Sequence, residues 1–266
     1  MGDDNKVLLW NLERPKAETK IMIDSKSSAD HFQITSTKFH ESKSLFMYTT
    51  SQGHVRLCDM RESSNFDKRC SFEFKYQPRG PANIFSKQLS AIHEAKFVPN
   101  SNYIAARDFL SVKLWDMRNT ESSKDVSGLQ IQSKPVYSAR VNDYLDSSLV
   151  ELYERDNLSD KFFIGLSPSG KHLATGGYNK SFNVMDLHAT TNQQIVCNFN
   201  DQCGLSSKSV GVTRHYKANK RLEKNTSVSI NASKQVGVGC WRPTESKPAN
   251  SLDTLAVAYR SCIYLY

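Results

Sequence analysis

Five short segments of the chain share one pattern, alternating apolar and polar residues that lead to a large side chain. They are KVLLWNL to Trp10, HVRLCDM to Cys58, SVKLWDM to Trp115, SFNVMDL to Met185 and SCIYLY to Tyr266. An aspartate follows at once in three of them: Asp59, Asp116 and Asp186. Period-two alternation over so short a run fits strands, whose side chains point to opposite faces in turn, and not helices. A chain built on a repeated unit is committed to a repeat architecture, because one unit cannot bury its apolar face alone.

A second pattern precedes four of these strands: an apolar run, a polar or proline turn, and another apolar run. The copies are ITSTKFHESKSLFMYTT, AIHEAKFVPNSNYIAAR, KFFIGLSPSGKHLATGG and VGVGCWRPTESKPANSLDTLAVAY. Pro99, Pro168 and Pro243 fall in the turns, where the ring presets the backbone and no ladder donor is lost. Each copy is therefore a hairpin. A tight connection such as Ser51-Gln52-Gly53 or Gly176-Gly177-Tyr178-Asn179, expected to use positive φ at glycine or asparagine, leads into the third strand.

Antiparallel meanders repeated in this way describe an all-β, WD-type β-propeller. The third strands recur at intervals of 48, 57, 70 and 81 residues, longer than the roughly 40 to 45 usual for such blades. The excess falls between a third strand and the next hairpin, where an outer strand and surface loops belong. The chain reads as one partial propeller: a half blade over residues 1–30, three full four-stranded blades over 31–90, 91–160 and 161–235, and a last blade over 236–266 that lacks its outer strand. Such a set leaves a seven-bladed ring open, with exposed strand edges.

Composition narrows the function. Hydrophobic residues at 38% and charged residues at 23% fit a globular protein and not general disorder. The longest apolar stretches, such as Leu255 to Tyr259, are far shorter than the roughly 18 residues that cross a bilayer, so no membrane association is expected. The opening MGDDNKVLLW is acidic and lacks the order of a secretory signal, which gives a cytoplasmic expectation. Six scattered cysteines without C-x-x-C spacing read as free thiols, and no metal site or cofactor is expected. Nucleophile elbows, zinc-protease helices and phosphate loops are all missing from the sequence, so no catalytic residue is assigned.

The net charge of +8 is concentrated. Residues 201–250 hold nine Lys or Arg against three Asp or Glu, most of them in a loop over 205–225 that includes Lys208, Arg214, Lys217, Lys220, Arg221 and Lys224. By composition this loop suits an acidic protein, a nucleic acid or an import receptor, the last adding a nuclear location, while a solvated loop is the plainer reading. Only Tyr216 lies within the run to stack a base, so nucleic acid is not the expected partner.

The strings GHVRLCDMRES, ARDFLSVKLWDMR, SLVELYERDNLSDKF and GGYNKSFNVMDL resemble the C-terminal portion of the 55 kDa regulatory B-type family of protein phosphatase 2A subunits, nearly from end to end of this chain. The resemblance implies a seven-bladed propeller without catalysis that recruits phosphoprotein substrates and docks on the phosphatase scaffold and catalytic subunits. It also implies that an N-terminal strand closes the last blade. By position it puts a substrate-contacting acid at Asp4, a groove tyrosine at Tyr153 and a groove lysine at Lys161. Asp4 equally suits a turn before the first strand, and Tyr153 could instead pack with Leu149 and Leu152 on the face of a short helix. Two departures stand out: Ala91 replaces a family serine, and FEFKYQPRGPANIFSKQ replaces an acidic stretch, which weakens steering of basic substrates. The competing readings are a truncated or degenerate WD-repeat scaffold that does not join the phosphatase, and a basic nucleic-acid-binding propeller.

Overall fold

The computed structural model describes residues 6–9, 13, 20–24, 32–61, 72–75, 85–118, 123–124, 130–132, 134–141, 145, 149–178, 181–187, 194–198, 216–217, 236–241, 255–259 and 262–265. They fall into two compact units, one formed by residues 1–97 and 102–138, the other by 98–101 and 139–266.

In the first unit, β1 (Lys6–Leu9) and β2 (Lys20–Asp24) form an antiparallel pair. The next sheet begins as the expected meander of β3 (Ile34–Phe39), β4 (Leu45–Thr50), β5 (His54–Asp59) and β6 (Phe72–Lys75). Beyond β7 (Glu94–Phe97), β8 (Tyr103–Arg107) and β9 (Ser111–Asp116), which pair in turn, the chain returns to this sheet. There β10 (Ser123–Lys124) pairs with β11 (Gln130–Gln132), and β11 runs parallel to β6, extending the sheet to six strands. The sequence pattern has no counterpart for this extension. The outer strand beside β9 is β12 (Tyr137–Arg140).

Alternation decides where the side chains go. Along β4, Met47 points to one face and Phe46 and Tyr48 to the other; along β5, Val55 and Leu57 oppose Cys58. Met47, Val55, Leu57 and Phe74 meet Ala95, Ile104, Ala106 and Trp115 of the neighbouring sheet and Ile92 just ahead of it. On the opposite face, Phe46, Tyr48 and Cys58 gather Phe32 and the partly buried Val7 of β1. The strands are thus buried on both faces, which is why β4 reads as a nearly continuous apolar run. Cys58 is a buried free thiol, as expected. On β6, the buried Glu73 accepts from Arg56 Nε at 2.9 Å and pairs with His54 Nδ1 at 2.8 Å. Burial favours the neutral acid, but the hydrogen bonds and charges of His54 and Arg56 outweigh it and hold Glu73 at about 2.

The second unit holds β13 (Ile164–Leu166), β14 (His172–Gly176), β15 (Ser181–Asp186), β16 (Gln194–Asn198) and β17 (Tyr216–Lys217), paired in that order. A three-stranded sheet of β18 (Val236–Trp241), β19 (Leu255–Tyr259) and β20 (Cys262–Leu265) accompanies it. His172 and Trp241 stack between these two sheets, with centroids 6.1 Å apart and planes 20° apart.

One lock recurs after three of the third strands. The residue following each repeated aspartate donates its N–H to the preceding hairpin turn: Met60 to Ser44 at 2.8 Å, Met117 to Asn102 at 2.9 Å, and Leu187 to Lys171 at 2.8 Å. In two copies an arginine adds a fork. Asp59 and Asp116 each accept the backbone N–H of the residue two positions on and its guanidinium, from Arg61 and Arg118 respectively. These bonds hold the Asp59 carboxyl at about 2 and lower that of Asp116.

Positive φ occurs at Gly53, as the tight connection requires, but not at Gly176 or Gly177, while Asn179, the other candidate in that connection, lies outside the described residues. There the turn closes through Ser181, whose N–H and hydroxyl both donate to the Tyr178 carbonyl. Among the described residues the other positive-φ glycine is Gly170 (φ 72), in the β13–β14 turn. A Cβ at Gly170 would drive into the Pro99 carbonyl oxygen, a backbone atom that cannot swing aside. Gly170→Ala is expected to cost about 2 kcal/mol or more, the left-handed penalty of roughly 1–2 kcal/mol plus the clash. Urea unfolding would check it, and an unchanged midpoint would refute the packing described.

Candidate protein-binding site

Tyr153 and Lys161 lie in one anchored segment, residues 149–163. It opens with α2 (Leu149–Glu154), whose Leu149 and Leu152 are buried, as their i, i+3 spacing requires. Tyr153 does not join them in the core: it is 56% exposed, and Val150, three residues before it, is 61% exposed. The packing role open to Tyr153 in the sequence therefore gives way to an outward-facing ring. Glu151 and Arg155 form an i, i+4 ion pair at 2.9 Å on the solvent side. The helix stops at Asp156 (φ 57), whose N–H donates to the Tyr153 carbonyl at 3.0 Å.

A 3₁₀ turn over Asn157–Ser159 follows and packs on α2, burying Leu158. Asp160 pins what comes next. Its carboxylate accepts from the hydroxyl of the fully buried Tyr178 and, at 3.3 Å, from Asn157 Nδ2. The Phe162 ring meets Tyr178 edge-on at 5.2 Å and is itself buried. Since the chain is extended here, Lys161 and Phe163 point the other way: Lys161 is exposed and Phe163 is 52% exposed. The segment so held exposes two apolar groups, Val150 and Phe163, one aromatic with a polar tip, Tyr153, and one cation, Lys161. That mixture suits protein recognition, because large rings fixed by a rigid base bury area at little entropic cost.

Val150 and Phe163 are the members that sequence reasoning missed. The adjacent Phe162 and Phe163 carried the signal, since neighbours on an extended segment face opposite sides. Asp4 lies outside the described residues, as do Lys208, Arg214, Lys220, Arg221 and Lys224. Lys217, expected in a loop, sits on β17, opposite Ile195 at the edge of its sheet. Ala91 follows α1 (Ser86–Ser90) and caps it through its N–H to the Gln88 carbonyl. Among the described residues no cluster of His, Cys, Asp or Glu could hold a metal ion, and no helix is long and apolar enough to cross a membrane.

No family model matches the chain. The crystal structure of the Myceliophteria thermophila Cps50 (Swd1) β-propeller domain is similar over 98% of this chain and 62% of that one, with a TM-score of 0.52 and 10% identity. This likeness shows the fold, a partial WD-type β-propeller. The beta isoform of the 55 kDa B-type regulatory subunit of serine/threonine-protein phosphatase 2A from Carassius auratus is 31% identical over 274 residues, 99% of this chain. The chain spans 56% of that relative's length. In sequence, then, this chain is similar to a 55 kDa B-type regulatory subunit of protein phosphatase 2A, with a match whose extent is consistent with a C-terminal portion.

Proposed function

We propose that the chain is a non-catalytic regulatory module of the phosphatase 2A type, presenting a propeller face to protein partners. The observation that carries this reading is the 31% identity maintained over 99% of the chain to a protein whose name is that of a phosphatase regulator. Its partners on this reading are the scaffold and catalytic subunits of the phosphatase, with phosphoprotein substrates engaging the surface of Val150, Tyr153, Lys161 and Phe163. A cytoplasmic location, with nuclear entry through the basic loop, completes the proposal.

Mixing the purified full chain with purified phosphatase scaffold and catalytic subunits, followed by size-exclusion chromatography, tests assembly. Co-elution is expected; separate peaks at micromolar concentration would refute the regulatory reading. Substrate engagement is tested separately. Tyr153→Ala and Lys161→Ala should leave the unfolding midpoint unchanged, since exposed positions rarely matter by more than about 0.5 kcal/mol. Each should weaken binding of a phosphoprotein substrate, Tyr153→Ala by about tenfold or more if the ring acts as an anchor. Equal binding by wild type and both variants would remove this surface from recognition.

A further inference from the structure

Within the first unit a cavity of about 280 Å³ opens where the six-stranded sheet meets the sheet of β7 to β9. Its floor is apolar, formed by Leu45, Leu57, Phe72 and Met117. Leu57 belongs to the main core cluster, and the other three pack against it while remaining partly accessible, so the cavity is a gap in the core that reaches the surface. The rim is charged. Asp59 and Arg118 lie on it, each already engaged by an ion two residues away: Asp59 by Arg61, with Nη2 to Oδ2 at 2.6 Å, and Arg118 by Asp116, at 2.8 Å.

Lys43 differs. Its Nζ donates at 2.9 Å to the side-chain oxygen of Asn102, a neutral amide, and this bond ties the β3–β4 turn to the turn ahead of β8. Counting the paired ions as neutral, the rim carries a net positive charge centred on Lys43. Asn102 fixes where that charge stands.

Size limits the occupant. At about 280 Å³ the cavity lies at the lower end of the roughly 300–1,000 Å³ of small-ligand sites, room enough for a large apolar side chain, and its open mouth lets the rest of a chain run across the rim. The geometry points to a docking site for an acidic peptide segment of a partner protein, in which a Leu, Met or Phe side chain fills the cavity and a neighbouring carboxylate meets Lys43. The site is a separate surface feature from that of Tyr153 and Lys161 and owes nothing to the phosphatase reading, so either can fail alone.

A displayed random-heptapeptide library panned on the full chain at physiological salt tests it. Enriched peptides should pair Leu, Met or Phe with an adjacent Asp or Glu. A synthetic fluorescein-labelled copy of the strongest should lose about tenfold or more in affinity with Lys43→Glu, the scale of one charge-assisted hydrogen bond. Replacing its acidic residue by lysine should restore binding to Lys43→Glu but not to wild type. Lys43 is exposed in a turn, so an unchanged urea midpoint would show that the variant folds. No enrichment, enrichment of unrelated sequences, or equal affinity for wild type and Lys43→Glu would overturn the proposal. So would full competition by millimolar inorganic phosphate together with unchanged binding when the apolar residue is replaced by glycine, since that describes a plain anion site.

Discussion

Asp108→Ala is expected to destabilise the first unit by about 3–5 kcal/mol, a large share of the roughly 5–15 kcal/mol that holds a domain folded. Asp108 begins the turn between β8 and β9 and is 5% exposed. Its carboxylate accepts the N–H of Leu110 at 2.9 Å and of Ser111 at 2.6 Å, the Ser111 hydroxyl at 3.1 Å, and the ammonium of Lys113. Lys113, 4% exposed, also donates to Ser111 Oγ at 2.8 Å. Alanine removes the turn's acceptor and takes from the buried ammonium the carboxylate that neutralises it. The reverse change is milder, because in Lys113→Met the carboxylate keeps the two backbone donors and the hydroxyl. The double variant should therefore be more stable than Asp108→Ala alone, as both charges leave the interior together. Urea titrations of the three variants check the order: Lys113→Met nearest wild type, the double variant between, Asp108→Ala lowest. A double variant no better than Asp108→Ala would mean that the turn's hydrogen bonds, and not the ion pair, dominate.

This cluster also shows where sequence pattern stops being informative. In SVKLWDM the alternation is plain, and it places Val112, Leu114 and Lys113 correctly on opposite faces of β9. It does not show that Lys113 is buried, because both faces of this strand are covered, and nothing local marks that. The hairpins are legible because apolar runs and proline turns act over a few residues. By contrast β10 and β11, SK and QIQ, carry no apolar pattern, and their place beside β6 comes from backbone pairing that the surrounding fold selects. The candidate surface divides in the same way. A helix over Leu149 to Tyr153 is readable, but whether Tyr153 or only its leucines face inward depends on what packs beside it. The contact between Lys43 and Asn102 joins residues 59 apart in sequence, through two turns that come together only when neighbouring sheets pack.

Trp115→Ala is the second large effect, expected to cost about 3–5 kcal/mol. The indole is fully buried, pairs across the ladder with Ile104, and meets the Phe74 ring at 6.1 Å with planes inclined by 48°. It is the largest side chain in the cluster that joins two sheets, so its removal opens a cavity between them that rigid strands cannot collapse to fill. Trp115→Phe should cost less than half as much. It keeps an aromatic partner for Phe74, and it discards an indole N–H that is buried without a hydrogen-bond partner among the described residues, a donor whose burial itself costs free energy. The comparison separates packing from polarity: if the indole were held by its N–H, phenylalanine would behave like alanine, whereas if volume dominates, phenylalanine stays near wild type. Urea midpoints of the two variants decide between these outcomes. Binding at the Tyr153 surface, which lies in the second unit, supplies the control, because a variant that weakens it without lowering the midpoint would give Trp115 a role in recognition that its burial does not allow.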